Sequence, residues 1–148
     1  MLKEKGADVV VWPSAYHGGN LLNGYAAVYS YYVVTSVWNS ESRIIDRMGN
    51  TIAEGNRWDP FVTAMIYPRS QLFHTDNHVS LIGALRAEYG DGLYINVDGK
   101  INMIELAVCD ERCSLEEIKA KYGLVTYDEY HAMATRQNDA LRTEMPEK

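Results

Sequence analysis

Three short stretches of this chain bring together residue types able to do covalent or metal chemistry. Cys109 and Cys113 lie four apart, and a thiolate is a nucleophile or a soft metal ligand. His74, Asp76 and His78 alternate, and zinc takes such donors, but no further Cys or His pair stands close by. The stretch precedes a helical pattern, so Asp76 or Asn77 reads as the cap of a surface loop, and no metal is expected. His17-Gly18-Gly19 resembles a phosphate loop only in its glycines; the lysine and the hydroxyl residue are missing. It reads as a connector, or as the rim of a pocket, since loops at strand ends carry function.

Composition narrows the setting. A chain of 148 residues suits one domain. Its net charge of −6 and lack of any clustered Lys/Arg run exclude a nucleic-acid partner, which needs a basic patch. No apolar run is long enough to span a bilayer, so no membrane association is expected. Two cysteines do not make a disulfide framework; they read as unpaired thiols of a reducing compartment, which points to the cytoplasm without fixing it.

The elements that position these residues follow from periodicity and turn chemistry. Leu2 to Lys5 reads as a helix end with Gly6 as its stop. Val9 to Trp12 and Val33 to Trp38 are continuous apolar runs, the pattern of strands covered on both faces. Between them, Leu21 to Tyr31 predicts a helix with Asn20 as a cap and an aromatic stripe of Tyr25, Val28, Tyr29 and Tyr32. It is long enough for a right-handed crossover, so the two strands are expected parallel and adjacent at the sheet centre. Ser42 to Asp46 and Thr51 to Glu54 predict a hairpin around Asp46-Arg47-Met48-Gly49, and Phe61 to Tyr67 another strand. Val79 to Tyr89 predicts a helix stopped at Gly90; Asp98-Gly99 predicts a tight hairpin; Ser114-x-x-Glu117 and Thr126-x-x-Glu129 predict capping boxes of two final helices. The fold class is α/β, with an α+β mixed sheet.

Five stretches, in order, carry a likeness. Gly6-Ala7-Asp8 is followed by an apolar strand and Pro13-Ser14-Ala15. Then come Val33 to Asn39, Ser42-Arg43-Ile44-Ile45-Asp46, and Gly49. This run resembles the segment just after the catalytic cysteine in the carbon–nitrogen hydrolase (nitrilase/amidase) superfamily. The likeness is best over residues 1 to 66, with Arg47 standing where the family often has proline. A further departure is Tyr25-Ala26-Ala27-Val28-Tyr29 where family members often carry Arg-Ala-x-Glu-Asn.

The resemblance implies part of a nitrilase-type αββα sandwich. Residues 1–142 would be the C-terminal portion of that domain and 143–148 a frayed tail. It implies a Glu-Lys-Cys set in which a thiolate attacks an amide or nitrile carbon, a base moves protons and a cation offsets developing charge. None of the three falls on this chain, because their expected places precede Gly6. Cys109-Asp110-Glu111-Arg112 imitates the nucleophile motif, but no helix, Gly-Ala-Asp and Pro-Ser follow it. The chain alone is thus expected to be inactive and to need no cofactor. Pro13, Ser14, Tyr16, Trp38 and Asn39 are expected near the pocket for a small amide or nitrile substrate, as shaping and hydrogen-bonding groups. Leu2, Tyr25 and Tyr29 are expected at the subunit interface of a homodimer or higher oligomer, where aromatic residues are enriched, although a tyrosine stripe equally suits plain core. The alternative is a non-catalytic interaction or dimerisation module that kept the scaffold.

Overall fold

A computed structural model describes residues 2–38, 40–75, 79–110 and 113–144. It is a mixed α/β protein, with two four-stranded sheets and four helices among these residues. The chain divides into two compact units, 1–69 and 70–148.

In the first unit a 3-10 turn over Lys3–Lys5 ends at Gly6, whose φ of 77° lets its N–H return to Lys3 O. β1 (Val9–Ser14) follows, then α1 (Gly19–Tyr29), then β2 (Tyr32–Val37), parallel to β1 as expected, with Val9 opposite Tyr32. β3 (Arg43–Ile45) and β4 (Thr51–Glu54) continue the sheet antiparallel, in the order β1-β2-β3-β4. The turn between them closes on Asp46, whose Oδ1 accepts the N–H groups of Met48 and Asn50 at 2.9 and 2.8 Å. Gly49 there has φ 86°, and a Cβ would lie 2.7 Å from Asn23 O, so only glycine fits.

Successive strand residues face opposite sides. Val10, Val33 and Ile45 therefore meet Leu22 and Ala26 of α1, while the other face of β1 is open, with Val11 67% exposed. Three expectations are corrected here. β1 lies at the sheet edge, uncovered on one face, because α1 supplies a single layer and β2 takes only one side of the strand. α1 starts at Gly19 with Gly18 as the preceding cap residue, not at Leu21 behind Asn20; the His17 imidazole takes the Gly19 N–H at 3.2 Å and does the capping. Tyr32 is not part of the helical stripe, because Ser30 turns left-handed at φ 52° and ends the helix.

A fourth correction concerns Phe61 to Tyr67, which forms no strand. Exposure alternates residue by residue from Phe61 to Ile66, as on a strand, but no neighbouring strand pairs with it. The segment returns at Tyr67, whose N–H reaches the Tyr32 hydroxyl at 3.4 Å.

The second unit is a wholly antiparallel sheet of order β6-β7-β5-β8. Its strands are β5 (Gln71–His74), β6 (Leu93–Asp98), β7 (Met103–Val108) and β8 (Val125–Thr126). β5 and β8 carry no turn signal strong enough to read from sequence. α2 (Val79–Tyr89) spans the predicted residues and runs on into a 3-10 turn over Gly90–Gly92. The β6–β7 connection is not the expected two-residue turn. Asp98 pairs with Met103, leaving a four-residue loop in which Asn102 takes φ 53° and Asp98 Oδ1 accepts the Lys100 N–H. α3 (Leu115–Tyr122) opens on the predicted capping box of Ser114 and Glu117. α4 (Tyr127–Glu144) opens on the second, of Thr126 and Glu129, and takes in Thr143 and Glu144, where a frayed tail was expected; residues 145–148 lie outside the described part. The core gathers Phe73, Leu85, Leu93, Ile104, Leu106, Ile118 and Leu124.

Candidate functional site

The parallel register sets the carboxyl ends of β1 and β2 side by side, the place where open α/β sheets bind ligands. Pro13 pairs with Ser36 and Ser14 with Val37, and the Trp38 N–H donates to Ser14 O at 3.3 Å. Ser14 Oγ accepts the Tyr16 N–H at 3.0 Å, which turns the chain outward. Pro13, Ser14, Tyr16 and Trp38 thus share one rim, with the rings of Tyr16 and Trp38 82% and 84% exposed. Asn39 lies outside the described residues.

Four further residues stand at this end; of them the sequence had offered only His17, as one reading of its loop, for the rim of a pocket. His17 Nε2 stands 3.8 Å from a Glu54 carboxylate oxygen. Ser42 Oγ accepts the Val37 N–H at 3.1 Å. Arg43 is buried beneath α1, where Nη1 donates to Asn23 Oδ1 at 2.9 Å and Nη2 to Gly19 O. Among the described residues no carboxylate pairs with it, and its Nε has no partner. An arginine inside the apolar run Arg43-Ile44-Ile45 was the available signal, since buried charges need a reason. The rim offers aromatic faces and hydrogen-bonding groups. Among the described residues it holds no activated nucleophile: the Ser14 hydroxyl makes no hydrogen bond to His17 or any described carboxylate.

On the α1 side of the sheet lies an open groove of about 320 Å³. Leu2, Tyr25 and Tyr29, expected at an interface, line it together with Val10, Trp12 and Tyr31. The rings follow one another, Tyr25 tilted against Tyr29 with centres 6.1 Å apart and Tyr29 stacked on Tyr31 at 5.8 Å. Burial, then the neighbouring Tyr29 and Tyr25, push the Tyr31 phenol above its ordinary pKa. The stripe is half-exposed and frames a groove, where plain core would have hidden it.

The second unit holds the residues that imitate catalytic and metal motifs. Cys109 is exposed, its N–H bound to Gly92 O at 2.9 Å. Cys113 borders a hollow of about 220 Å³ with Glu88, Tyr89, Gly92 and Asp110; Glu111 and Arg112 lie outside the described residues. Glu88 is committed to Lys121 and to the Tyr122 hydroxyl, and these hydrogen bonds hold its carboxyl below the usual range. His74 stacks flat on Tyr130, with ring centres 3.7 Å apart. Asp76 and His78 lie outside the described residues, among which no group of three metal-binding side chains occurs. No helix of the described residues is long and apolar enough to cross a membrane. Sequence reasoning also missed Glu105, fully buried in β7 and bonded by the Ser70 hydroxyl at 2.5 Å.

Comparison with family models, with characterised proteins and with solved structures gives no match to this chain.

Proposed function

We propose that the first unit is scaffold from a thiol-dependent hydrolase of non-peptide C–N bonds, amide or nitrile, related to the carbon–nitrogen hydrolases. The nucleophilic cysteine, glutamate base and lysine are supplied from outside these 148 residues. The observation that carries the reading is the parallel β1–α1–β2 crossover running directly into the β3–β4 hairpin. It brings Pro13-Ser14 beside Trp38, as the resemblance implies for the pocket wall. A second observation supports it. Asp8 of Gly6-Ala7-Asp8 and Arg47 beside Asp46 come from motifs far apart in sequence and form an ion pair at 2.7 Å. The bare face of β1, where Val11 is exposed, is where a second layer of an αββα sandwich would begin to pack. The rim residues shape the pocket and hydrogen-bond substrate; they do no covalent chemistry.

The test extends the reading frame upstream of Met1 and assays both forms on a panel of simple amides and nitriles. The 148-residue chain is expected to stay at the buffer blank. The longer form is expected to turn over a panel member and to lose that activity when its cysteine ahead of Gly6 is changed to alanine. An upstream frame without such a cysteine, or thiol-dependent turnover by the short chain, overturns the reading. The exposed apolar edge of β1 favours the second reading, a non-catalytic association module, and a silent extended form would decide for it.

A further inference from the structure

Two stretches of the first unit are built like strands and have a side without a strand neighbour. The first is β1, outermost in its sheet. In a parallel ladder, both backbone polar groups of a residue face the same neighbour. Tyr32 N donates to Asp8 O and Trp38 N to Ser14 O, so the even-numbered residues of β1 face β2. Val9, Val11 and Pro13 therefore turn their backbone toward the open edge, where the N–H that Pro13 lacks costs the sheet nothing. The second stretch is Phe61 to Ile66. Its residue types favour strands and its exposure alternates, yet among the described residues it makes no hydrogen bond at all.

We propose that Phe61 to Ile66 of one copy of this chain pairs with the open edge of β1 in a second copy, as a fifth strand of its sheet. The two stretches match in three respects. Each is six residues long and apolar, with Val11 and Trp12 exposed on one, Phe61 and Met65 on the other. Neither carries a charge, so contact falls on patches free of the repulsion that a net charge of −6 imposes between copies. Phe61 to Ile66 contains no proline, so pairing with β1 loses only the donor absent at Pro13, whereas two β1 edges paired together would contain two prolines. An apolar edge unprotected by charge or bulge is a site for strand addition. Reciprocal exchange closes a symmetric dimer. The inference goes beyond the hydrolase reading and does not rest on it, since it uses only two unpaired backbones.

The test is sedimentation equilibrium of the full chain, with far-UV circular dichroism to verify folding. Val11→Lys charges the edge at an exposed position. Thr63→Pro combined with Ala64→Pro removes a donor from either side of the other stretch, in a segment that makes no hydrogen bond among the described residues. The wild type is expected to dimerise, and each variant alone to lose at least tenfold in dimer affinity. Mixed together they are expected to form a heterodimer weaker than the wild-type dimer, because one retains the strand and the other the edge. A monomeric wild type overturns the proposal. So do variants that dimerise like wild type, a mixture no more associated than its parts, or a dimer broken only by Tyr25→Glu in the groove.

Discussion

Arg47 ties four parts of the first unit together. Its guanidinium donates to Asp8 and to Ser30 O, each at 2.7 Å, and to Pro68 O, and it lies 5.4 Å from the Tyr32 ring centre. Asp8 is half-exposed, but Arg47 is buried, so its removal leaves the carbonyls of Ser30 and Pro68 without this donor. Arg47→Met is expected to cost about 2–3 kcal/mol. Asp8→Asn is expected to cost about 1 kcal/mol or less, because an exposed carboxylate is screened by water. Urea unfolding followed by tryptophan fluorescence measures both, and a larger loss from Asp8→Asn contradicts the assignment. Glu129 gives a pH prediction. The Lys119 ammonium first, then the Thr126 N–H and hydroxyl, hold its carboxyl at about 2, below the ordinary 4.5. A carboxyl lowered by folding stabilises the protein above its unfolded pKa and loses that contribution as pH falls toward its folded pKa. The α3–α4 junction is therefore expected to weaken from about pH 4.5 down to about 2. Carboxyl NMR titration should find a Glu129 midpoint near 2 that rises in Lys119→Met; an unchanged midpoint in that variant rejects the cause.

At the scale of elements, local chemistry fixed the helices and pairing fixed the strands. In the capping box of α3, Ser114 Oγ accepts the Glu117 N–H at 3.2 Å, and a Glu117 carboxylate oxygen takes the Ser114 N–H at 2.8 Å. Ser114→Ala is expected to cost about 1 kcal/mol by loss of that cap. Chemical denaturation followed by circular dichroism tests this, and a neutral result shows the box to be dispensable. Such boxes were legible because all their groups lie within four residues. Phe61 to Tyr67 was misread for the opposite reason: residue type and alternation argue for a strand, but a strand also needs a neighbour, and no short-range feature reports whether one is there. Asp98-Gly99 failed similarly. The pairing of Asp98 with Met103 overrode the local preference for a two-residue turn.

At the scale of the molecule, each unit has its own apolar cluster. The second is expected to fold as the separate fragment 70–148, with dispersed amide NMR signals and cooperative unfolding. Phe73, fully buried at its centre, is the probe: Phe73→Ala is expected to destabilise that fragment by about 3–5 kcal/mol. All three tryptophans, Trp12, Trp38 and Trp58, lie in the first unit, so fluorescence of the whole chain reports on that unit alone. A fragment 70–148 that shows only random-coil signals contradicts the independence of its core.

The sequence by itself determined what depends on neighbours along the chain. These are the glycine stop after Lys5, the Asp46 turn, the span of α2, both capping boxes, and the parallel meeting of β1 with β2 that a helical crossover dictates. It also brought Pro13, Ser14, Tyr16 and Trp38 to one rim, since that placement follows from the crossover. Only the tertiary structure decided which strand is an edge, which face of β1 is bare, that the strands divide between two sheets, and that buried Arg43 lies under the rim with His17 and Glu54 at the same end. Those outcomes depend on which distant segments compete for the same backbone groups and apolar surface, and no window of a few residues contains that competition.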